Sequence, residues 1–204
     1  MPFFLPAHSM LDKSQLRKRL RRERASLSPR ERNVASRASA RQLLRTPAFL
    51  RARRIAVYHA NGNELDPTPL VVAARALGKQ CYLPVLHPFL HGKLVFAPWH
   101  AHTAMRPNRF GIPEPAGRER RLPARRLDLV IVPLLGFDRQ GVRLGMGGGY
   151  YDRTFAFRNR CTAWRKPLLV GFAYAFQRVE HLPNKPWDIR LDAVVTEDGL
   201  IYFS

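Results

Sequence analysis

The stretch LDLVIVPLL, residues 127–135, decides the fold. Apolar residues occupy both alternating faces of this segment, so it predicts a strand that is buried on its two sides. Such strands are typical of parallel sheets, because crossover helices cover both sheet faces. Segments of helix and strand type alternate around it. The sequence therefore predicts an α/β fold, a single layered domain over residues 1–204 with a central, largely parallel sheet flanked by helices.

The remaining elements follow from local patterns. One helix is predicted from Asp66-Pro67 to Gly78, and another begins near Tyr150, while the proline-rich residues 98–123 predict no regular element. Besides the central strand, five segments match strand patterns. They are RIAVYHA (54–60), QCYLPVL (80–86), its hairpin partner KLVFAPW (93–99), PLLVGFAY (167–174) and the strand or hairpin DAVVTEDGLIYF (192–203).

The N-terminal region predicts a pair of basic helices. The spacing of Ser9 and Asp12 is that of a capping box, and Leu16 and Leu20 continue an apolar face after it. A second start signal, Ser28-Pro29-Arg30-Glu31, predicts a helix that ends at Pro47. Residues 1–10 are expected to form a flexible extension.

The positive charge of the chain is concentrated in these helices. The formal net charge is +20, and residues 13–54 contain 15 lysines and arginines but only Glu23 and Glu31 as acids. Such a field attracts polyanions, which include nucleotides, phosphorylated or polycarboxylate ligands, and nucleic acid. A solvated basic helix face without a specific ligand explains the same charge equally simply.

The composition excludes several classes of protein. No apolar run approaches the roughly 20 residues that cross a bilayer, and the first residues lack the features of a secretory signal. Cys81 and Cys161 are too few and too far apart for a disulfide framework or a zinc site. We therefore expect a cytoplasmic monomer without a membrane partner.

A glycine-rich segment, RLGMGGGYYDR at residues 143–153, carries the strongest chemical signal. It follows the buried strand and leads into a helix, and open α/β sheets bind ligands beyond the carboxyl ends of their strands. Backbone N–H groups of glycines can close on an anion, and Arg143 adds a positive charge. The spacing matches neither a P-loop nor a dinucleotide fingerprint. Glycine content alone leaves a phosphate loop and a structural turn equally open.

The order of motifs along the chain resembles the 5-formyltetrahydrofolate cyclo-ligase family. The segment 143–153 resembles the family signature, and the basic start at Lys13–Arg17 resembles its ATP-contacting first helix. Six further segments match in the family's order. They are NELDPTPLV (63–71), YLPVL (82–86), FGIPEP (110–115), DLVIVPLLGFD (128–138), VGFAY (170–174) with Gln177, and LDAVVTE (191–197).

This resemblance implies an ATP- and Mg²⁺-dependent reaction. In it, 5-formyltetrahydrofolate, with or without a polyglutamate tail, is cyclised to 5,10-methenyltetrahydrofolate, and ADP and phosphate are released. A formamide oxygen is a poor leaving group, so the family chemistry phosphorylates the formyl oxygen before N10 attacks the formyl carbon. The protein's task is positioning and neutralising charge on the transferred phosphoryl group.

The resemblance also implies roles for individual residues. Arg143, Tyr151 and Asp152 are expected in catalysis, Asp152 and Asp192 as Mg²⁺ ligands, and Glu64, Phe110 and Tyr150 in contact with folate. The expected ATP contacts are Lys13, Arg17, Arg143, Gly145, Met146, Gly147, Gly148, Gly149, Tyr150 and Tyr151.

One position departs from the family pattern, and two other functions stay open. Some members have lysine at the position of Gly148, so this chain must draw that charge from Arg143, Lys13 or Arg17. The basic helices also fit an RNA-binding protein, in which they would follow phosphates. A different ATP-dependent ligase or kinase on the same scaffold would differ only in its substrate.

Overall fold

A computed structural model of the chain describes residues 12–117, 119–160 and 166–203. The predicted extension and Cys161 lie outside these residues. The helices are α1 (Lys13–Ser26), α2 (Pro29–Leu44), α3 (Pro47–Arg51), α4 (Thr68–Ala76) and α5 (Tyr150–Phe155), with 3₁₀ turns at Ala124–Arg126, Ala156–Arg160 and Ala175–Gln177. The strands are β1 (Arg54–Ala56), β2 (Gln80–Leu86), β3 (Leu94–Pro98), β4 (Met105–Pro107), β5 (Pro113–Pro115), β6 (Leu129–Pro133), β7 (Gly136–Phe137), β8 (Arg143–Leu144), β9 (Leu168–Phe172), β10 (Ala193–Val195) and β11 (Leu200–Tyr202).

Seven strands form one sheet in the order β11-β10-β9-β6-β1-β2-β3. The five inner strands run parallel, and the antiparallel strands β3 and β11 close the two edges. The prediction of a central, largely parallel sheet flanked by helices is confirmed. Because β2, β1, β6 and β9 point the same way, the loops that follow them meet at one edge of the sheet.

Strand β6 is the centre of the core. Leu129 and Ile131 face one apolar cluster, and Val130 and Val132 face another on the opposite side of the sheet. All four side chains are buried. The alternation explains why the sequence of this strand is apolar without interruption.

The N-terminal helices form as predicted, but their caps differ in detail. Asp12 itself caps α1 in a capping box with Gln15, and Ser9 lies outside the described residues. Ser28 and Glu31 form the predicted capping box of α2. Helix α2 ends before Pro47, where the additional helix α3 begins under a cap from Thr46. Among the described helices, none combines the length and the apolar character needed to cross a membrane.

The proline-rich segment contains a small hairpin that the sequence did not predict. Strands β4 and β5 pair in antiparallel fashion, with Pro107 opposite Pro113. The Asn108 side chain organises the turn by accepting hydrogen bonds from the Phe110 and Ile112 N–H groups. Proline-rich composition hid this hairpin, because these prolines lie at the end of the ladder beside the turn.

A second hairpin, β7–β8, carries the chain from the central strand to the glycine-rich segment. The Asp138 carboxylate is buried in its turn and accepts hydrogen bonds from the N–H groups of Gln140, Val142 and Leu182. Gln177 holds the strand that leads into this hairpin. Its side-chain amide donates to the Leu134 and Leu135 carbonyls, at 2.9 Å each.

Gln177 is the basis of a stability prediction. Its side chain is 1% exposed, and its side-chain oxygen Oε1 accepts a hydrogen bond from the Tyr174 N–H at 2.8 Å. Gln177→Met keeps the volume but leaves three buried backbone groups unpaired, so we expect a loss of about 3 kcal/mol or more. Denaturant unfolding measures this loss. Gln42→Met on the exposed side of α2 is the control, and equal stabilities of the two variants would contradict the prediction.

Candidate functional site

The glycine-rich loop, residues 145–149, joins β8 to α5 at the carboxyl edge of the sheet. Gly147 and Gly149 have positive φ angles of 108° and 64°, which other residues rarely adopt. Met146, Gly147 and Gly148 are exposed. Within the described residues, no amide N–H of this loop donates a hydrogen bond. The loop therefore presents several accessible, unpaired donors, the arrangement that binds phosphate oxygens.

Arginines hold the carbonyl groups of this loop. Arg17 of α1 donates from Nε to the Gly145 carbonyl at 2.9 Å. Arg153 donates to the Gly148 carbonyl and, at 3.0 Å, to the Gly92 carbonyl. A Cβ on Gly149 would come within 2.8 Å of Arg153 Nη1, and the φ of 64° at this position favours glycine in any case. The loop thus has its carbonyls bound to cations while its N–H groups stay free.

An ion pair links the start of the loop to helix α5. Arg143 Nη2 lies 2.6 Å from Asp152 Oδ1, and the two side chains are 7% and 20% exposed. The same carboxylate oxygen accepts a bond from the Ile189 N–H at 3.1 Å. The Arg143 guanidinium also lies over the Tyr151 ring, 5.7 Å from its centroid. The three residues predicted for catalysis are therefore in mutual contact.

Helix α1 lies against this region, as the resemblance implied. Lys13 Nζ is 3.6 Å from Asp188 Oδ2, and Asp188 directly precedes Ile189. Arg21 Nη2 lies 3.9 Å from the Met146 sulfur. Together with Arg17, these contacts place one face of α1 beside the glycine-rich loop.

Glu64 lies in the loop after β1, half-buried, and accepts a bond from the Asn61 N–H at 3.0 Å. Burial raises the pKa of its carboxyl, against the opposing effects of the Asn61 bond and the charge of Arg24. Burial also raises the pKa of Tyr151, and the Glu64 charge adds to that shift. The Glu64 charge therefore acts on Tyr151, although 87 positions separate the two residues in the sequence.

Phe110 and Tyr150, predicted to contact folate, are neighbours. Their ring centroids are 5.9 Å apart with an edge-to-face angle of 82°. Arg109 donates to the Tyr150 hydroxyl at 2.6 Å, which fixes this ring beside the hairpin β4–β5. Phe110 is 54% exposed, so its ring is accessible for stacking.

Asp192 has hydrogen-bond partners of its own. Its carboxylate accepts bonds from Arg158 at 2.7 and 2.8 Å and from the Leu169 N–H at 2.7 Å, at the amino end of β9. Each of the two acids predicted to bind the metal is thus paired with an arginine, Asp152 with Arg143 and Asp192 with Arg158.

The structure adds residues that the sequence analysis missed. Arg109 directly precedes the segment FGIPEP, and Arg153 is the last residue of RLGMGGGYYDR, but the sequence analysis assigned a role to neither. Arg24 is buried at 6% exposure, and Glu64 is the acid whose charge acts most strongly on it. Its spacing of seven from Arg17 places both on one face of α1, and this was the available sequence signal.

Comparison with known proteins assigns the chain. The family model described as the 5-formyltetrahydrofolate cyclo-ligase family matches residues 9–197. The chain belongs to this family. A 5-formyltetrahydrofolate cyclo-ligase of Escherichia coli (strain K12) is 41% identical over 180 residues, which cover 87% of this chain and 96% of the relative. The Haemophilus influenzae enzyme of the same name is 36% identical over 181 residues, covering 88% and 94%.

Solved structures agree with the family assignment. The NMR structure of Aquifex aeolicus 5,10-methenyltetrahydrofolate synthetase matches with a TM-score of 0.77 and 34% identity, covering 93% of this chain and 92% of that one. A synthetase from Mycoplasma pneumoniae shares the fold, with a TM-score of 0.71, 24% identity, and coverage of 92% and 99%. The resemblance found in the sequence and the ligase class expected from it are confirmed.

The raised pKa of Glu64 yields a pH-dependent prediction. The charged Glu64 carboxylate destabilises the native state. This loss of stability is present above the pKa that Glu64 has in the folded protein, and it vanishes below the pKa that Glu64 has in the unfolded chain. Glu64→Gln should raise Tm at pH 7 by a few degrees, since about 1 kcal/mol corresponds to roughly 2–4 °C. The difference should disappear near pH 4. Thermal unfolding across this range measures it.

The control for this prediction has the opposite sign. The Ser28 hydroxyl and N–H lower the pKa of the exposed Glu31 carboxyl, so this ionised group stabilises the native state above the unfolded pKa and stops doing so on acidification. Glu31→Gln should therefore lower Tm at pH 7. A Tm that also falls in Glu64→Gln would show that the Glu64 charge is compensated in the native state.

Proposed function

We propose that this protein converts 5-formyltetrahydrofolate into 5,10-methenyltetrahydrofolate, with ATP hydrolysed to ADP and phosphate. One observation carries the proposal. In a member of this family, a loop of unpaired backbone donors, surrounded by arginines, leads into α5, and the charge of the half-buried Glu64 carboxylate acts on Tyr151 of that helix. The first feature suits nucleotide phosphates, and the second suits the donor-rich pterin ring.

The ATP phosphates are proposed to lie on residues 145–149. The free N–H groups of this loop would donate to phosphate oxygens, as Lys13, Arg17 and Arg143 supply positive charge around it. Each charge-assisted hydrogen bond contributes about 1.5–3 kcal/mol, several times the contribution of an exposed helix terminus. These three cations would therefore account for the phosphate affinity without the lysine that some family members have at the position of Gly148.

The pterin ring is proposed to bind between Glu64 and the aromatic pair. The Glu64 carboxylate accepts hydrogen bonds, and the pterin N3–H and 2-amino groups donate them. Phe110 offers an accessible ring face for stacking, and Tyr150 lies between this ring and the glycine-rich loop. This arrangement would bring the N5-formyl group close to the phosphate end of the site.

The chemistry requires a better leaving group on the formyl carbon. Transfer of the γ-phosphoryl group to the formyl oxygen makes the carbon electrophilic, and N10 then attacks it. Loss of phosphate, with the N10 proton leaving to solvent, closes the methenyl bridge. Arg143 is proposed to neutralise charge on the transferred group, while Asp152 holds the guanidinium in place and Tyr151 packs below it.

The residues around Asp152 fit a magnesium ion. Both bonds to this carboxylate go to Oδ1, which leaves Oδ2 without a partner in the described part of the chain. Mg²⁺ is usually held by one or two carboxylates together with substrate phosphates and waters. When bound, the ion would neutralise phosphate charge. The described residues contain no cluster of three His, Cys, Asp or Glu side chains, in keeping with this type of site.

Asp192 remains a predicted second ligand. Its present partners, Arg158 and the Leu169 N–H, hold it in a structural role at the base of β9 and β10. Cytoplasmic location and a monomeric state also remain predictions. Nucleic-acid binding by the basic helices is the alternative use of the exposed arginines on α1 and α2, and its affinity would fall steeply with salt.

An absorbance assay for the methenyl product tests the proposed reaction. 5-Formyltetrahydrofolate is supplied with and without ATP and Mg²⁺, and product is expected only with both. ATP binding without product would keep the phosphate site and change the substrate. Absence of ATP binding as well, together with salt-sensitive binding of RNA, would favour the nucleic-acid alternative.

Asp152→Asn tests the metal site. The Mg²⁺ concentration for half-maximal activity should rise by about tenfold or more, as expected when a metal contact is weakened. The KM for folate should change little, and thermal unfolding shows whether the Arg143 contact survives. Asp198→Asn, in an exposed turn, is the control. An unchanged Mg²⁺ requirement would contradict the proposed metal role of Asp152. Measuring the activity of Asp192→Asn against Mg²⁺ concentration tests the second predicted ligand in the same way.

A further inference from the structure

Arg24 is a buried cation, and none of its contacts explains a role for it in the fold. Its side chain lies on the inner face of α1 and the residue is 6% exposed. No hydrogen bond joins its guanidinium to any other described residue, and its Nε is fully buried without a partner. Buried donors are normally paired, so an unpaired guanidinium indicates a missing partner.

The surroundings of Arg24 belong to the proposed folate side of the site. Its charge interacts with Glu64 and with the hydroxyls of Tyr58 and Tyr174. Tyr58 donates to the Leu65 carbonyl, and Tyr174 donates to the Asn63 carbonyl at 3.4 Å, so both rings hold the loop that carries Glu64. Arg24 therefore lies beside the loop that carries Glu64.

Arg24 and Glu64 do not form an ion pair. No nitrogen of Arg24 lies within 4.0 Å of a Glu64 oxygen. The gap between them is therefore wider than an ion pair, and a polar group that accepts from Arg24 and donates to Glu64 would satisfy both residues.

Helix geometry connects this gap to the phosphate site. Arg17 and Arg24 are seven residues apart, which is nearly two full turns and places both on one face of α1. The rise between them is about 10 Å. One end of this face contacts Gly145, and the other reaches the Glu64 loop. The same helix thus borders both halves of the proposed site.

We propose that Arg24 binds the folate directly, by donating hydrogen bonds to the 4-oxo oxygen of the pterin ring beside the groups that Glu64 accepts. This inference rests on the proposed function. The pterin edge has the required order of groups, because the 4-oxo acceptor adjoins the N3–H and 2-amino donors. The Arg24 guanidinium and the Glu64 carboxylate would together recognise that edge by hydrogen bonds and distinguish a 4-oxo ring from a 4-amino ring.

The first test measures 5-formyltetrahydrofolate binding to the full chain by calorimetry in the absence of ATP. Arg24→Met keeps the length of the side chain and removes its charge. We expect about 10- to 100-fold weaker folate binding, the loss typical of a hydrogen bond to a charged group, with ATP affinity unchanged within about twofold. Arg22→Met, exposed on the same helix, is the matched control and should bind like the wild type.

Stability separates this role from a structural one. Removing an unpaired buried charge should leave Tm unchanged or higher, whereas loss of a structural contact would lower it. A lower Tm with unchanged folate affinity would overturn the inference. If Arg24→Met does not fold, Arg24→Lys carries the test, with weaker folate binding at the wild-type Tm as the supporting result and unchanged affinity as the contrary one.

A second ligand tests the atom that Arg24 contacts. The 4-amino-4-deoxy analogue of 5-formyltetrahydrofolate lacks the acceptor, so wild type and Arg24→Met should bind it equally. Equal losses for both ligands would place the guanidinium on another part of folate and overturn the 4-oxo assignment. Wild-type protein that binds no 5-formyltetrahydrofolate would overturn the proposed function itself, whereas normal binding by Arg24→Met would overturn only this inference.

Discussion

Burial of β6 on both of its faces is the constraint on which the rest of the structure depends. A strand that is apolar on two sides must be covered by two layers, and parallel neighbours with crossover connections supply them. Parallel strands also place their following loops at one edge. The Glu64 loop, the glycine-rich loop and Gln177 follow three different strands, and they meet because β1, β6 and β9 point the same way. The core therefore determines where chemistry can occur.

Electrostatics divides the site into two parts. Near the glycine-rich loop, Arg17 and Arg153 bind carbonyl oxygens and leave the amide donors free, so the backbone presents a surface of free donors that suits an anion. On the other side, a half-buried acid and a buried arginine oppose each other without pairing. Charged groups held unpaired in this way lower the stability of the native state and are typical of ligand-binding sites.

Sequence patterns predicted the sheet because the burial of a strand determines which of its residues are apolar. The central strand, the two basic helices and the glycine-rich loop could all be predicted from their patterns of residue types. The hairpin β4–β5 was missed because its side chains are mostly exposed and prolines occupy its ladder. The pairing of Asp152 with Arg143 and of Asp192 with Arg158 was also hidden, since a motif gives the residue type but not the arginine that binds it. Arg24 was overlooked because fifteen basic residues in one region obscured the single one that is buried.

The position of α1 has a consequence for how the molecule assembles. It packs through Leu16 and Leu20 on a cluster that contains Leu135, Leu144 and Leu182, all far along the chain. Arg17 and Gly145 are 128 residues apart in sequence. Contacts of such long range form late, because the intervening chain must first be ordered. Helix α1 can therefore complete the surroundings of the glycine-rich loop and of the Glu64 loop only after those distant segments are in place.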